Sequence, residues 1–214
     1  MHRLPRVLAV LAALVFGSVT LPLNAQQGRF ELTPTIGYRL NSNITNTDVA
    51  QYSELQFKNA ATYGVAFSWN FSPATSAEIT YDYSSYDATA VARTIGNDRT
   101  INIKQHDILV NGLYLFNTGN DAFRPFILGG LGMTILAPGG NLNQVTNFAW
   151  TLGGGFKYYT SDKFGLRFDI RWLPTYLYSA GGGTWCDPYY GCYYYPNSHI
   201  LNQWDFKLGF VFRF

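Results

Sequence analysis

The chain reads as an all-β protein, an eight-stranded antiparallel up-and-down barrel of the transmembrane kind. Three observations predict it. Large apolar residues recur at every second position, connections alternate between short and long, and formal charge is too sparse to solvate an ordinary surface. Of 214 residues, 13% are charged and 17% aromatic, where soluble domains carry about 25% charged residues. The hydrophobic fraction of 47% argues against disorder, and the wealth of Tyr, Phe and Gly suits strands.

The N-terminal segment has the layout of a secretory signal peptide. Arg3 and Arg6 form a basic start, residues 7–16 an apolar stretch, and Leu23-Asn24-Ala25 a cleavage site. The expected organisation is a signal peptide over 1–25 and one barrel domain over 26–214. Removing the leader leaves 13 basic and 13 acidic residues. Zero net charge provides no electrostatic basis for a nucleic-acid partner. No mature segment reaches the ~18 uninterrupted apolar residues of a transmembrane helix.

Eight alternating segments follow, near 29–40, 55–71, 77–84, 106–116, 123–135, 148–158, 164–173 and 202–214. The last is the clearest, with Trp204, Phe206, Leu208, Phe210, Phe212 and Phe214 on one phase. In 55–71 the apolar phase reads Leu55, Phe57, Ala61, Tyr63, Val65, Phe67, Trp69 and Phe71. Short connections at 72–75, 117–121 and 160–163 alternate with long ones at 41–54, 85–99, 137–147 and 174–199. A meander then gathers the long loops on one rim and the short turns with both barrel termini on the other, as in bacterial outer-membrane barrels. Over 99–116 the phase changes: Ile101 and Ile103 are odd, Ile108, Val110, Tyr114 and Phe116 even, with Lys104 and His106 between. A bulge or a strand that has left the membrane would each explain this.

Charge partition sets the polarity. With the apolar face of every strand on one side, Arg29, Glu31, Arg39, Lys58, Glu78, Asp82, Asp107, Arg124, Lys157, Arg167, Asp169, Arg171, Asp205, Lys207 and Arg213 all fall on the other. A soluble lipocalin-like barrel would turn the apolar face inward, a membrane barrel outward. Phe30, Phe71, Phe116, Phe123, Tyr158, Phe164 and Phe214 cluster at the short-turn ends, as an interfacial aromatic girdle requires. The membrane version is therefore expected, with a polar, plugged interior, since eight strands leave room only for side chains. Nine of the fifteen inward charges are basic, an excess of three. Any leakage through the lumen would then favour anions.

The C-terminal alternation ending in Phe210, Phe212 and Phe214 resembles the signal by which outer-membrane barrels are handed to the barrel-assembly machinery. Arg124-Pro125-Phe126-Ile127-Leu128-Gly129-Gly130-Leu131-Gly132, Gly153-Gly154-Gly155-Phe156 and Leu166-Arg167-Phe168-Asp169-Ile170-Arg171 resemble the fifth, sixth and seventh strands of the small OmpA/OmpX-like outer-membrane barrel family. The resemblance spans the mature chain. It implies a barrel domain only, without a peptidoglycan-binding domain, and a location in the bacterial outer membrane with extracellular loops and periplasmic termini. Implied partners are outer-membrane lipid and lipopolysaccharide. The family hosts structural proteins, adhesins and a few enzymes.

Chemistry-bearing motifs are few. Two histidines, His106 and His199, remain in the mature chain. Ser198 precedes His199, but adjacent strand residues face opposite ways, so no nucleophile–base pair is expected. Neither catalysis, a metal nor another cofactor is expected. Cys186 and Cys192, in an exported loop, read as a disulfide. Trp185, Tyr189, Tyr190, Tyr193, Tyr194 and Tyr195 surround them, either as a preorganised binding surface for an extracellular partner or as girdle residues. A structural or surface-interaction role is the leading expectation. A narrow channel comes next and a lipid-modifying enzyme last.

Overall fold

The computed structural model describes residues 30–45, 52–92, 98–139, 144–177, 185–187, 191–193 and 199–214. Their strands are β1 (Phe30–Asn41), β2 (Ile44–Thr45), β3 (Tyr52–Phe57), β4 (Ala60–Asn70), β5 (Thr75–Ala92), β6 (Arg99–Leu115), β7 (Phe123–Pro138), β8 (Val145–Tyr159), β9 (Phe164–Leu177), β10 (Trp185–Asp187), β11 (Gly191–Tyr193) and β12 (His199–Arg213). Antiparallel ladders run β1-β4-β5-β6-β7-β8-β9-β12 and return to β1, closing a barrel of eight long strands. At the seam Glu31 faces Arg213, and Phe30 and Phe214 exchange both backbone hydrogen bonds, at 3.0 and 2.9 Å.

The register fixes the barrel's geometry. One row of paired residues runs from Trp204 through Trp172, Leu152, Gly129, Gly112, Ala77, Trp69 and Phe30. It reaches β12 again at Phe214, ten residues below its start. With ~3.3 Å per residue and ~4.8 Å between strands, that stagger tilts the strands by about 40°.

Short polar turns close one rim, as the sequence predicts. In the turn after β4, Ser72 Oγ accepts from the Ala74 and Thr75 amides at 3.1 and 3.0 Å. After β6, the Gly119 amide donates to Asn117 Oδ1 at 2.9 Å. Gly119 has φ of 74°, a conformation that glycine adopts without a Cβ clash.

At the other rim the strands outrun expectation. β5 continues to Ala92 and β6 begins at Arg99, so most of 85–99 is ladder rather than loop. The phase change in β6 is no bulge, because pairing runs unbroken from Thr75↔Tyr114 to Ala90↔Arg99. Instead the solvent changes. Tyr86, Ala88, Ala90, Ile103, Leu136 and Leu201 pack inside with Leu55 and Phe57. Ser85, Thr100, Asn102 and Lys104 face out and are exposed. This upper tier has the polarity of a water-soluble protein. Leu55 and Phe57 therefore point inward, against their predicted phase. The switch falls at Lys58–Asn59, where β3 gives way to β4 and the ladder to β5 is interrupted. Asparagine side chains bridge this break. Asn41 Nδ2 donates to the Lys58 carbonyl at 2.7 Å, and Asn59 Oδ1 accepts from the Asn41 amide at 3.0 Å.

Candidate functional site

The lumen below the upper tier is ionic. Glu31, Arg39, Glu78, Asp82, Asp107, Lys157, Arg167, Asp169, Arg171, Asp205 and Lys207 are all buried inside the barrel. Adjacent acids and bases along a strand, such as Arg167 and Asp169, account for some pairs. Most of the remaining ion pairs join strands that are not neighbours. Lys157 of β8 reaches Glu31 of β1 at 2.5 Å, and Lys207 of β12 reaches Asp82 of β5 at 2.5 Å. Arg167 of β9 pairs with Glu78 of β5. Arg39 donates to both oxygens of Asp205, at 2.6 and 2.7 Å. Its Nη1 also lies 2.8 Å from Asp107 Oδ2 on the far wall, an ion pair off the hydrogen-bond direction.

Further hydrogen bonds tie these pairs into layers. At the turn rim, Glu31 accepts from Tyr159 at 2.8 Å and from Arg213 at 3.4 Å, and Arg213 lies over the Tyr159 ring at 3.7 Å. Above it, Arg171 joins Glu78 at 3.2 Å and Asp169 at 3.1 Å. Higher still, Thr134 donates to Asp107 at 2.6 Å, and the amides of Gln105 and Gln203 bond across the lumen at 2.9 Å. Small inward residues on β1 and β4 make room for this lattice. A Cβ on Gly64 would collide with Asp82 Oδ1. The apolar cluster over the top then caps the ions, so the interior is polar only in its lower and middle layers. Even there, Leu113, Leu115, Phe126 and Leu128 form an apolar group near the turns.

Two charges predicted for the lumen stand at its rims instead, and a third is not placed. Lys58 stands at the β3–β4 break, its side chain 68% exposed, paired with Asp87 at 3.2 Å. Arg124 lies at the turn rim near Asp121, and Arg29 falls outside the described residues. What remains is Arg39, Lys157, Arg167, Arg171, Lys207 and the half-buried Arg213 against Glu31, Glu78, Asp82, Asp107, Asp169 and Asp205. Among the described residues this lumen set is balanced, six basic groups against six acidic. In the upper tier, the Asn102 amide and then the Lys58 ammonium hold the Asp87 carboxyl below its ordinary value.

The outer wall carries two aromatic rings. Phe71, Phe116, Phe123, Tyr158, Phe164 and Phe214 are exposed at the turn rim with Phe30 among them, as the sequence predicts. A second ring lies higher. Correcting the register for strand tilt puts Trp204, Trp172, Trp150, Met133, His106, Tyr83, Tyr63 and Tyr38 at one level. Trp150 meets Trp172 edge-on at 4.8 Å, and Trp172 stacks on Trp204 at 6.3 Å. Ten residues of tilted strand separate the two levels, about 25 Å, the height of the apolar band of an outer-membrane barrel. Sequence reasoning missed this ring because its members occupy a different offset in each strand.

Cys186 and Cys192 occupy facing register positions on the β10–β11 ladder. Their side chains, with those of Trp185, Tyr193 and His199, lie outside the described residues, as do Tyr189, Tyr190, Tyr194, Tyr195 and Ser198. His106 lies on the outer wall, where its Nδ1 is 2.8 Å from the Tyr81 hydroxyl. Among the described residues, no cluster of three His, Cys, Asp or Glu could hold a metal ion.

A closed antiparallel barrel with an oily, ring-bounded wall around buried ions is a transmembrane β-barrel. Residues 9–214 match the family model described as outer membrane protein beta-barrel domain, and the chain belongs to that family. Solved structures share its architecture. Neisserial surface protein A is 10% identical with a TM-score of 0.57, covering 88% of this chain and 99% of that one. OprG from Pseudomonas aeruginosa is 14% identical with a TM-score of 0.56, covering 88% and 97%. AlkL, solved in lipid bilayers, is 10% identical with a TM-score of 0.51, covering 93% and 97%. At such identities the likeness is one of fold. No curated protein matches the chain.

Proposed function

We propose that this barrel is a non-conducting protein of the bacterial outer membrane that presents its loop rim to the cell exterior as an interaction surface. The turn rim and both barrel ends then face the periplasm. The observation that carries this reading is the ion-pair lattice crossing the lumen, capped by apolar packing. Continuous water would have to separate Arg39 from Asp107, and Arg167 from Glu78. Buried ions deprived of partners cost several kcal/mol each, which disfavours an open pore and the alternative of a narrow channel. The upper tier supports the surface role. It raises the β5–β6 hairpin about 17 Å above the higher aromatic ring, at ~3.3 Å per residue and the strand tilt found here, and its polar outer face suits water.

The working surface comprises loops 41–54, 137–147 and 174–199 and the head of the β5–β6 hairpin. The facing register of Cys186 and Cys192 supports a disulfide there, with Trp185, Tyr189, Tyr190, Tyr193, Tyr194 and Tyr195 as the contact residues. A lipid-modifying activity would need a nucleophile and an acid beside a histidine, whereas His106 is flanked by Tyr81 and Tyr83. Planar-bilayer recording of the refolded protein tests the closed lumen. The expected result is no discrete conductance at any holding potential, and reproducible single-channel steps would refute it. Deleting residues 185–193 should leave heat-modifiable gel migration intact while abolishing adhesion by expressing cells.

A further inference from the structure

The higher aromatic ring changes character on one strand. Seven strands place Trp, Tyr or Met at that level, but β6 places His106 there. Its ring packs on Tyr83 at 5.1 Å and on Tyr81 at 6.0 Å, and Nδ1 lies 2.8 Å from Tyr81 Oη. With Tyr81 donating to Nδ1, the ring N–H sits at Nε2 and is available to a ligand. Lys104 is two residues further up β6 on the same outward face, exposed, about 6–7 Å along the strand. Its cross-strand neighbour is the exposed Ser85, whose hydroxyl donates to Asn102 Oδ1 at 3.1 Å. The nearest carboxylate on that face, Asp87, is engaged by Lys58 at 3.2 Å and by Asn102 at 3.2 Å. The wall therefore offers an ammonium and an imidazole N–H, just above the level where the apolar band ends.

We propose that Lys104 and His106 bind the phosphate of an outer-leaflet lipid, the phosphorylated headgroup of lipid A, while its acyl chains lie along the β5–β6 wall below. The chemistry fits that occupant. A phosphate at the membrane interface needs charge-assisted donors at headgroup depth, and its chains need the apolar band beneath. Tyr81 acts as a positioning residue that holds the imidazole in one tautomer. The choice of lipid A over a periplasmic-leaflet lipid rests on the outward orientation of the loop rim proposed above.

The test uses the full barrel refolded into nanodiscs of phosphatidylcholine doped with diphosphoryl lipid A, dephosphorylated lipid A or phosphatidylglycerol, with bound lipid counted by native mass spectrometry. Wild-type protein should retain diphosphoryl lipid A. Lys104→Gln should lower retention about tenfold, His106→Phe should lower it while preserving ring packing, and Lys104→Arg should restore it. Heat-modifiable migration confirms that each variant is folded. Equal retention by wild type, Lys104→Gln and His106→Phe would overturn the site, as would equal retention of the dephosphorylated lipid. Lys104-dependent retention of phosphatidylglycerol in preference to lipid A would overturn the choice of ligand. Protease added to intact cells checks orientation separately: with the loop rim uncut but Lys104-dependent phosphate retention intact, the phosphate site stands and the outward orientation falls.

Discussion

Arg167 and Glu78 stand halfway round the barrel from each other, on β9 and β5, and their ionised ends meet in the middle of the lumen with side-chain exposures of 1% and 0%. A contact of this kind ties opposite walls together, which backbone ladders between neighbours cannot do. Glu78 also receives Arg171 at 3.2 Å and the Ser68 hydroxyl at 2.9 Å. Glu78→Gln should therefore cost about 3–5 kcal/mol, because it leaves guanidinium charge buried with only Asp169 to offset it. Joint replacement by Glu78→Leu and Arg167→Met should recover part of that loss. Urea unfolding in micelles measures both, and a single variant as mild as the double would contradict the cross-lumen account.

Phe210 is 62% exposed on the wall of β12, close to midway between the two aromatic rings. Phe210→Arg should destabilise the barrel in bilayers by about 2–4 kcal/mol, the cost of a cation at the midplane. Its neighbour Gly209 faces inward, where a Cβ would stand 2.7 Å from Thr33 Cγ2 and 3.0 Å from Thr35 Cγ2. Gly209→Ala should cost about 1–3 kcal/mol through crowding. Reversible unfolding in vesicles of two thicknesses separates them: the arginine penalty should grow with thickness and the alanine penalty should not.

The upper tier should respond to mutation as a soluble core does. Ile103 is fully buried among Leu55, Phe57, Leu136 and Leu201, so Ile103→Ala should cost about 2–5 kcal/mol. Val110, seven residues on and facing outward at 58% exposure, should tolerate alanine within about 1 kcal/mol. Urea midpoints of the two variants give the comparison. Similar losses at both sites would remove the case for a polarity change along β6.

Ring depth is directly measurable. In a background lacking other tryptophans, Trp204 fluorescence should be quenched most by lipids brominated near the headgroup. Phe210→Trp in the same background should be quenched most by lipids brominated near the chain ends. Identical depth profiles would refute the ring assignment.

Deleting Phe214 removes the last aromatic of the β12 series and its two backbone bonds to Phe30. Assembly in cells should slow markedly, read as loss of heat-modifiable protein in the outer-membrane fraction, while refolding yield in detergent should change little. Unimpaired assembly in cells would remove the role proposed for Phe210, Phe212 and Phe214 with the assembly machinery.

The barrel was legible because strand alternation has a strict period of two and charges tolerate only one side of a membrane wall. Eleven of the fifteen charges assigned inward are buried there, from Glu31 to Lys207. The errors share a cause. Leu55 and Phe57 fall on the lipid-facing phase of the sequence, yet they lie above the lipid, where apolar residues turn inward. Lys58 fell on the wrong side because the interruption at Lys58–Asn59 resets the phase. Pairing across the lumen was illegible, since period gives a side chain's face but not which distant strand lies opposite. The histidine at the level of the higher ring was visible only as an oddity, as the point where β6 changed phase.

The seam has a consequence for biogenesis. β1 and β12 are the barrel's first and last long strands, so any nascent intermediate that lacks β12 presents two unsatisfied sheet margins to its surroundings. Self-sealing is impossible until the terminal segment arrives, and Arg213 meets Glu31 only then. Stalling before that moment would leave a curled, sticky sheet, and whatever escorts the polypeptide must shield both margins until synthesis and transport are done.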